Sequence, residues 1–243
     1  MKDSILLKLE YFNDPKFVFD DTYHKYTYDG ERFESVTKFI QKFHKPFDED
    51  YWSKKKAKEL NKDQSEVLID WKKINERATS IGTSTHNWIE NYFNGIHQCL
   101  PNDIELIDRI NKFNISWSKW LHRLTPLKFE QRVFSKKWKI AGTLDALFLY
   151  KDQILIIDYK TNKKFTHDED GSQKFEKLLY PFDNYNKNNL NEYSIQVSMY
   201  KLILREVGID IKNCYLLYIG PDEDPKFFKA HDFCNVLEDY LNH

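Results

Sequence analysis

Aromatic and polar residues alternate over 17–33 (FVFDDTYHKYTYDGERF) around Asp29-Gly30, a dipeptide suited to the positive φ angles of a two-residue turn, which predicts a small hairpin. Ser35 can cap a short helix running to Phe43, which Pro46 ends. Two polar-rich helices follow at 49–61 and 65–79, the second with Val67, Trp71, Ile74 and Ala78 at helical spacing. Gly82 reads as an interruption. Thr83 or Ser84 then caps a further helix that presents His86, Ile89 and Phe93 on one face and stops at Gly95. Asn102-Asp103 opens a longer core-packing helix with Ile104, Ile107, Ile110, Phe113, Trp117, Trp120 and Leu121 every three to four residues.

From Lys128 the period changes to two, or to continuous apolar runs, through KFEQRVFS, KIAGTLDALFLY and QILIIDYKT, which predicts three successive strands. Residues 162–188 have no clear period and many polar residues, so a long loop that orders on binding is expected there. Helix resumes over 190–207 with Gly208 as its stop, and 213–219 (NCYLLYI) reads as a strand. This order predicts an α/β fold with a mixed central sheet flanked by helices. No Gly- or Pro-rich linker divides the chain, so 1–243 reads as one domain: an N-terminal hairpin and helices (1–81), a core (82–220) and a C-terminal segment (221–243).

Composition narrows the function. At 243 residues and 41% hydrophobic content the chain can fill a core, which excludes a disordered or fibrous protein. Its 37 basic and 38 acidic residues give a net charge of -1, so any polyanion site has to be local. Mean hydropathy is -0.71 and no apolar run approaches the ~18 residues of a membrane span, so a cytoplasmic protein without membrane association is expected. Cys99, Cys214 and Cys234 form no CxxC pair, which argues against a disulfide scaffold or structural zinc and predicts three reduced, buried thiols.

The informative feature is the register of the middle strands. A turn centred between Lys151 and Asp152 places Asp145 opposite Asp158, with Cβ atoms ~5 Å apart on one face. Alternation adds Ile154, Ile156 and Lys160 to that face and turns Leu155, Ile157 and Tyr159 to the other. Two carboxylates side by side at the end of an apolar strand repel each other and lose solvation; a divalent metal compensates, and Lys160 adds positive charge. The bland alternative is a surface pair of Asp145 and Lys160 with Asp158 in solvent. A one-residue slip of register would turn Asp145 away and remove the argument.

GTLD (142–145) followed by IIDYKT (156–161) resembles the core motif of the PD-(D/E)XK nuclease superfamily, in the version with Gly-x-x-Asp in place of Pro-Asp. Gly82, His86 and Glu90, together with Gln196 and Tyr200, resemble the Gly-x-x-x-His and Gln-x-x-x-Tyr motifs of its RecB-like exonuclease branch. These motifs fall in order over residues 82–204, and the N-terminal hairpin with Ser-Val-Thr (35–37) is similar to phage-type members. The resemblance implies a restriction-endonuclease-like core with an N-terminal helical elaboration. It implies an Mg²⁺- or Mn²⁺-dependent DNA exonuclease acting on single-stranded DNA or duplex ends in phage or bacterial recombination, replication or degradation, with a separate helicase or recombination partner. The four cysteines of cluster-bearing relatives are missing, so no iron–sulfur cluster is expected.

By the same resemblance His86, Asp145, Asp158 and the backbone carbonyl of Tyr159 would hold one or two ions, with Glu130 a further ligand or a solvated strand end. The donor set suits this, since oxygen ligands favour Mg²⁺ or Mn²⁺ and one imidazole shifts preference toward Mn²⁺. Lys160 would position or help deprotonate the attacking water and, with Asp145 and Asp158, form the catalytic group. Glu90 could orient His86 or be a plain exposed carboxylate. Gln196 and Tyr200, four apart on one helical face, could meet the substrate, with a core role the alternative for Tyr200. Lys136, Lys137, Lys163 and Lys164 border the acidic hairpin as candidate phosphate contacts or solvated charges. Competing functions are a structure- or sequence-specific endonuclease of the same fold, a nuclease-derived module that binds nucleic acid without cleaving, and a retaining glycosidase using the paired carboxylates. The adjacent lysine and histidine suit a metal and a phosphate better than a sugar.

Overall fold

A computed structural model describes residues 1–167, 176–221 and 223–243. Asp29 and Gly30, at φ 51° and 80°, make the expected tight turn, and the hairpin gains a third strand. The strands are β1 (Phe17–Asp20), β2 (Lys25–Tyr28) and β3 (Glu31–Ser35), preceded by helix α1 (Lys2–Leu9). Ser35 Oγ accepts from the Lys38 backbone N–H and caps α2 (Val36–Gln41). After α3 (Glu49–Leu60) comes α4 (Gln64–Phe93), a single helix of 30 residues.

The expected break at Gly82 is therefore absent. Gly82 lies inside α4, where an added Cβ would stand 3.2 Å from Thr161 Oγ1, so the glycine lets the helix approach the end of the lysine strand. The expected division at 81/82 falls inside this helix. The anticipated apolar face of 65–79 is only partly used: Val67 is buried, whereas Ile74 and Ala78 are exposed.

Asp103 caps α5 (Ile104–Lys119), which buries Ile110 and Phe113 but leaves Ile104 exposed. Next come β4 (Thr125–Ser135), β5 (Ile140–Tyr150) and β6 (Gln153–Lys160). Residues 162–167 and 176–188 carry no helix or strand beyond the isolated bridge Lys177–Asn186; the rest of the expected loop, 168–175, lies outside the described residues. Then α6 (Asn189–Glu206) leads to β7 (Ile211–Tyr218). The pattern had not signalled β8 (Lys226–Lys229) or α7 (Cys234–Asn242). Since β8 pairs with β7, the segment after 220 belongs to the same sheet.

The eight strands run β1-β2-β3-β5-β6-β7-β8, with β4 on β5. The β3–β5 and β6–β7 pairs are parallel and the others antiparallel, giving the mixed sheet expected. One face, carrying Leu147, Ile156 and Leu216, packs under α1, α2, α6 and α7. The other, carrying Ala146, Phe148 and Ile157, packs under Ile89 of α4 and Phe113 of α5. The arrangement around β5 positions the site. One edge is paired with β4 along its length, while the other is shared: β3 takes Ile140 and Ala141, and β6 takes Ala146 to Tyr150. Between these partners, at residues 142–145, the edge opens into a cleft.

Among the described residues no helix is long and apolar enough to cross a membrane. Cys214 and Cys234 are buried as expected, but Cys99 is exposed in the irregular segment between α4 and α5.

Candidate active site

The β5–β6 ladder pairs Ala146 with Ile157 and Tyr150 with Gln153, which is the register read from the turn. Continued one step, it sets Asp145 beside Asp158. On the other side, Phe129 pairs with Ala146 and Gln131 with Leu144, so Glu130 and Asp145 are also opposite neighbours. Three carboxylates thus lie side by side across β4, β5 and β6. Glu130 has φ 43°, a left-handed conformation that a non-glycine strand residue adopts at a cost of about 1–3 kcal/mol. Here it accompanies a side chain that reaches the cleft instead of continuing the ladder.

Like charges at this spacing need compensation, and two helices and a strand end supply it. His86, from α4, places Nδ1 3.4 Å from both Glu130 Oε1 and Asp145 Oδ1. One donor atom from each of these three residues lies within 4.8 Å of the others, the spacing of a metal-ligand group. The other oxygen of Asp145 accepts a 2.6 Å hydrogen bond from the Tyr159 backbone N–H, a bond the ladder would otherwise direct to a carbonyl. Asp158 stands outside the group of three. Its Oδ2 lies 2.7 Å from Lys160 Nζ, a contact without hydrogen-bond alignment. Lys160 instead donates to Gln196 Oε1 at 3.0 Å, and Gln196 Nε2 donates to Tyr200 OH at 3.3 Å. The Lys160 ammonium also sits over the Tyr193 ring, 4.0 Å from its centroid.

The pKa values follow from this placement. Burial opposes charge on His86, but Asp145 and Glu130 outweigh it and hold the imidazole well above its ordinary value. Burial would raise Asp145 too, yet His86, Lys160 and the Tyr159 N–H bring it below the usual range. Burial and the Asp145 charge outweigh Lys160 and the more distant His86 at Asp158, and push it up to about 6. Burial raises Glu130 against the pull of His86. Lys160 is desolvated, but Asp158 keeps its pKa above the ordinary lysine value.

Other expected residues divide. Gln196 and Tyr200 line the cleft; Tyr200 is also buried against Gly142, where an added Cβ would meet Tyr200 Cε1 at 2.8 Å, so its packing role is evident. Glu90 lines the cleft but, among the described residues, makes no ion pair or hydrogen bond with His86, whose Nδ1 faces Glu130 and Asp145. Neither Lys136 nor Lys137 reaches the cleft. Lys136 lies 3.5 Å from Asp14 and over the Tyr28 ring, and Lys137 donates to Asn242. Lys163 and Lys164 are exposed just past β6 and do not line the cleft either. The cations that do are Lys128 and Arg132, two residues to either side of Glu130; neither stands among the expected contacts, although the charged residues of KFEQR carry that signal.

No protein-family model matches the chain, and no curated protein matches it. Among solved structures, a chain described as "Crystal structure of SSO0001" is 12% identical, with 99% of this chain and 84% of that one covered. Its TM-score is 0.32.

Proposed function

We propose that the protein is a metal-dependent deoxyribonuclease of the PD-(D/E)XK type, most consistent with an exonuclease acting on strand ends. The observation that carries this reading is the row Glu130, Asp145 and Asp158 across three strands, bracketed by His86 on one side and Lys160 on the other. Three acids against two cations leave unbalanced negative charge where Asp145 and Asp158 are buried, and the donors of His86, Glu130 and Asp145 converge where a cation would relieve it. Two carboxylates and one imidazole suit Mn²⁺ or Mg²⁺, with the Tyr159 carbonyl and Asp158 as further proposed ligands. A divalent ion there would make hydroxide available near neutral pH and offset charge developing on a phosphodiester.

The chain's own groups have separable tasks. Lys160, held by Asp158 and Gln196, stays an ammonium at neutral pH and serves as a fixed positive charge for phosphate oxygens rather than as a base. Asp158, which burial pushes up to about 6, would give up its proton as a ligand of the bound ion. A sugar substrate is disfavoured because both candidate acids are already committed to cationic partners.

The test is degradation of end-labelled linear DNA beside closed circles in Mg²⁺, Mn²⁺ or EDTA. Metal-dependent loss of linear DNA alone, abolished in Lys160→Ala and Asp145→Asn, is expected. Cleaved circles would replace the exonuclease with an endonuclease. DNA binding without cleavage in either metal would refute the catalytic reading.

A further inference from the structure

The cleft has a second wall that the metal cluster does not use. Phe17 and Tyr26 lie face to face with centroids 5.9 Å apart, Tyr26 and Phe19 stack at 4.5 Å, and the Arg132 guanidinium sits over Phe19, 4.8 Å from its centroid. These planar groups from the β1–β2 hairpin and β4 form a run that ends in a guanidinium. Its side chain is 49% exposed and tethered only loosely, 3.8 Å from a highly exposed Asp21. Tyr26 is itself anchored, its hydroxyl 3.1 Å from Thr143 Oγ1 at the open edge of β5. Along β4, residues 128–132 all line the cleft, so the cations Lys128 and Arg132 stand two residues to either side of Glu130 of the metal-type cluster.

We propose that this wall is a binding track for single-stranded DNA: Arg132 stacks against an unpaired base, Lys128 takes a backbone phosphate, and Phe19 positions the guanidinium. Planar groups facing a cleft serve bases whose faces are free, which a duplex hides. A supported guanidinium gives both a flat face and a charge, whereas a lysine gives only the charge. The carboxylates of Asp14, Asp21 and Glu90 also line the cleft, so uniform electrostatic attraction does not account for binding there. This inference rests on the nuclease reading for its substrate class, chooses single strands over duplex ends, and assigns the residues that hold them.

The test measures fluorescence anisotropy of a labelled oligothymidine and of a blunt duplex of matched length, in EDTA, over a series of salt concentrations. Metal-dependent cleavage by the same wild-type preparation is followed in parallel. The single strand is expected to bind more tightly than the duplex. Arg132→Ala should weaken single-strand binding about 5- to 150-fold, the range for loss of one stacked base, and Arg132→Lys should recover little of it. Lys128→Ala should reduce the slope of log Kd against log salt by about 0.7, one phosphate contact on a single strand. Phe19→Leu should weaken binding without changing that slope, and Phe19→Tyr should restore it. Binding by Arg132→Lys equal to wild type, or a duplex preference, overturns the track. Cleavage by wild type with every variant binding normally overturns the track alone. The expected binding pattern without cleavage supports the track and refutes the nuclease; neither binding nor cleavage refutes both.

Discussion

Replacing Lys160 by Met removes the ammonium beside Asp158 while keeping an unbranched side chain of similar length. Asp158 is 1% exposed and its carboxyl is already pushed up to about 6 from the ordinary 3.8, because burial and the Asp145 charge outweigh Lys160. At one pH unit per 1.36 kcal/mol, ionising it in the folded protein costs about 3 kcal/mol of stability above that pH. The folded state holds a proton that the unfolded chain has released, so this contribution is most favourable below 3.8, declines as pH rises to about 6 and then levels off.

Without the ammonium the carboxyl climbs further, but it can keep its proton. Doing so at pH 7 costs about 4.4 kcal/mol in total, so the variant loses at most about 1.4 kcal/mol more than wild type through Asp158. A buried pair broken with its charge trapped would lose about 3–5 kcal/mol. The ceiling is near zero at pH 6 and about 2.7 kcal/mol at pH 8. Loss of the Gln196 hydrogen bond and the Tyr193 contact adds a part that does not change over this range. Urea denaturation of both proteins at pH 6, 7 and 8 should therefore show a difference that widens with pH by no more than about 1.4 kcal/mol per unit. A difference of 3–5 kcal/mol already present at pH 6 and flat to pH 8 would refute the reasoning.

Saturating Mn²⁺ at about a hundredfold over its Kd should stabilise the protein by about 2.7 kcal/mol, and Glu130→Gln should remove most of the resulting rise in Tm. Because Asp145 and Glu130 hold the His86 pKa well above its ordinary value, protons compete with the metal, and the Mn²⁺-induced rise should grow from pH 6 to pH 8; an unchanged rise would argue against imidazole ligation. Gly142→Ala should destabilise by about 1–3 kcal/mol in urea, because its Cβ would stand 2.8 Å from Tyr200 Cε1 and 3.2 Å from Val36 Cγ2, both in packed surroundings. With a thiol-specific chromogenic disulfide, native protein should show one fast-reacting cysteine, the exposed Cys99. Burial pushes the Cys214 thiol up to about 12 and raises Cys234 as well, so two or three fast thiols would contradict the packing.

What could be read in advance depended on how far apart in the chain the cause and the consequence lay. The β5–β6 register needed only apolar runs and a turn, and the ladder from Ala146–Ile157 to Tyr150–Gln153 follows it. Gly82 misled because an isolated glycine costs a helix only about 1 kcal/mol, and α4 recovers that by burying Ile81, Thr85 and Ile89 on either side of it. Ile74 misled in the opposite direction, since helical spacing says which residues share a face but not whether that face meets anything.

The site repeats this division. Glu130 joins Asp145 because β4 continues the sheet, a pairing between sequence neighbours, and so it stood among the candidates. Lys128 and Arg132 are not among the sequence candidates, and alternate charges on a strand ordinarily face water. They border a cleft here only because β3, drawn from the first 35 residues, takes one end of an edge of β5 while β6 takes the other. The opening between those partners is a property of strand order, and no local spacing encodes strand order. Local pattern therefore suffices to nominate the acids and the lysine, whereas the groups nominated to hold a substrate depend on contacts across more than a hundred residues, as between Tyr26 and Thr143. For that reason the lysines chosen by sequence proximity, Lys136, Lys137, Lys163 and Lys164, lie off the cleft, and substitutions at Lys128 and Arg132 are the sharper probes of binding.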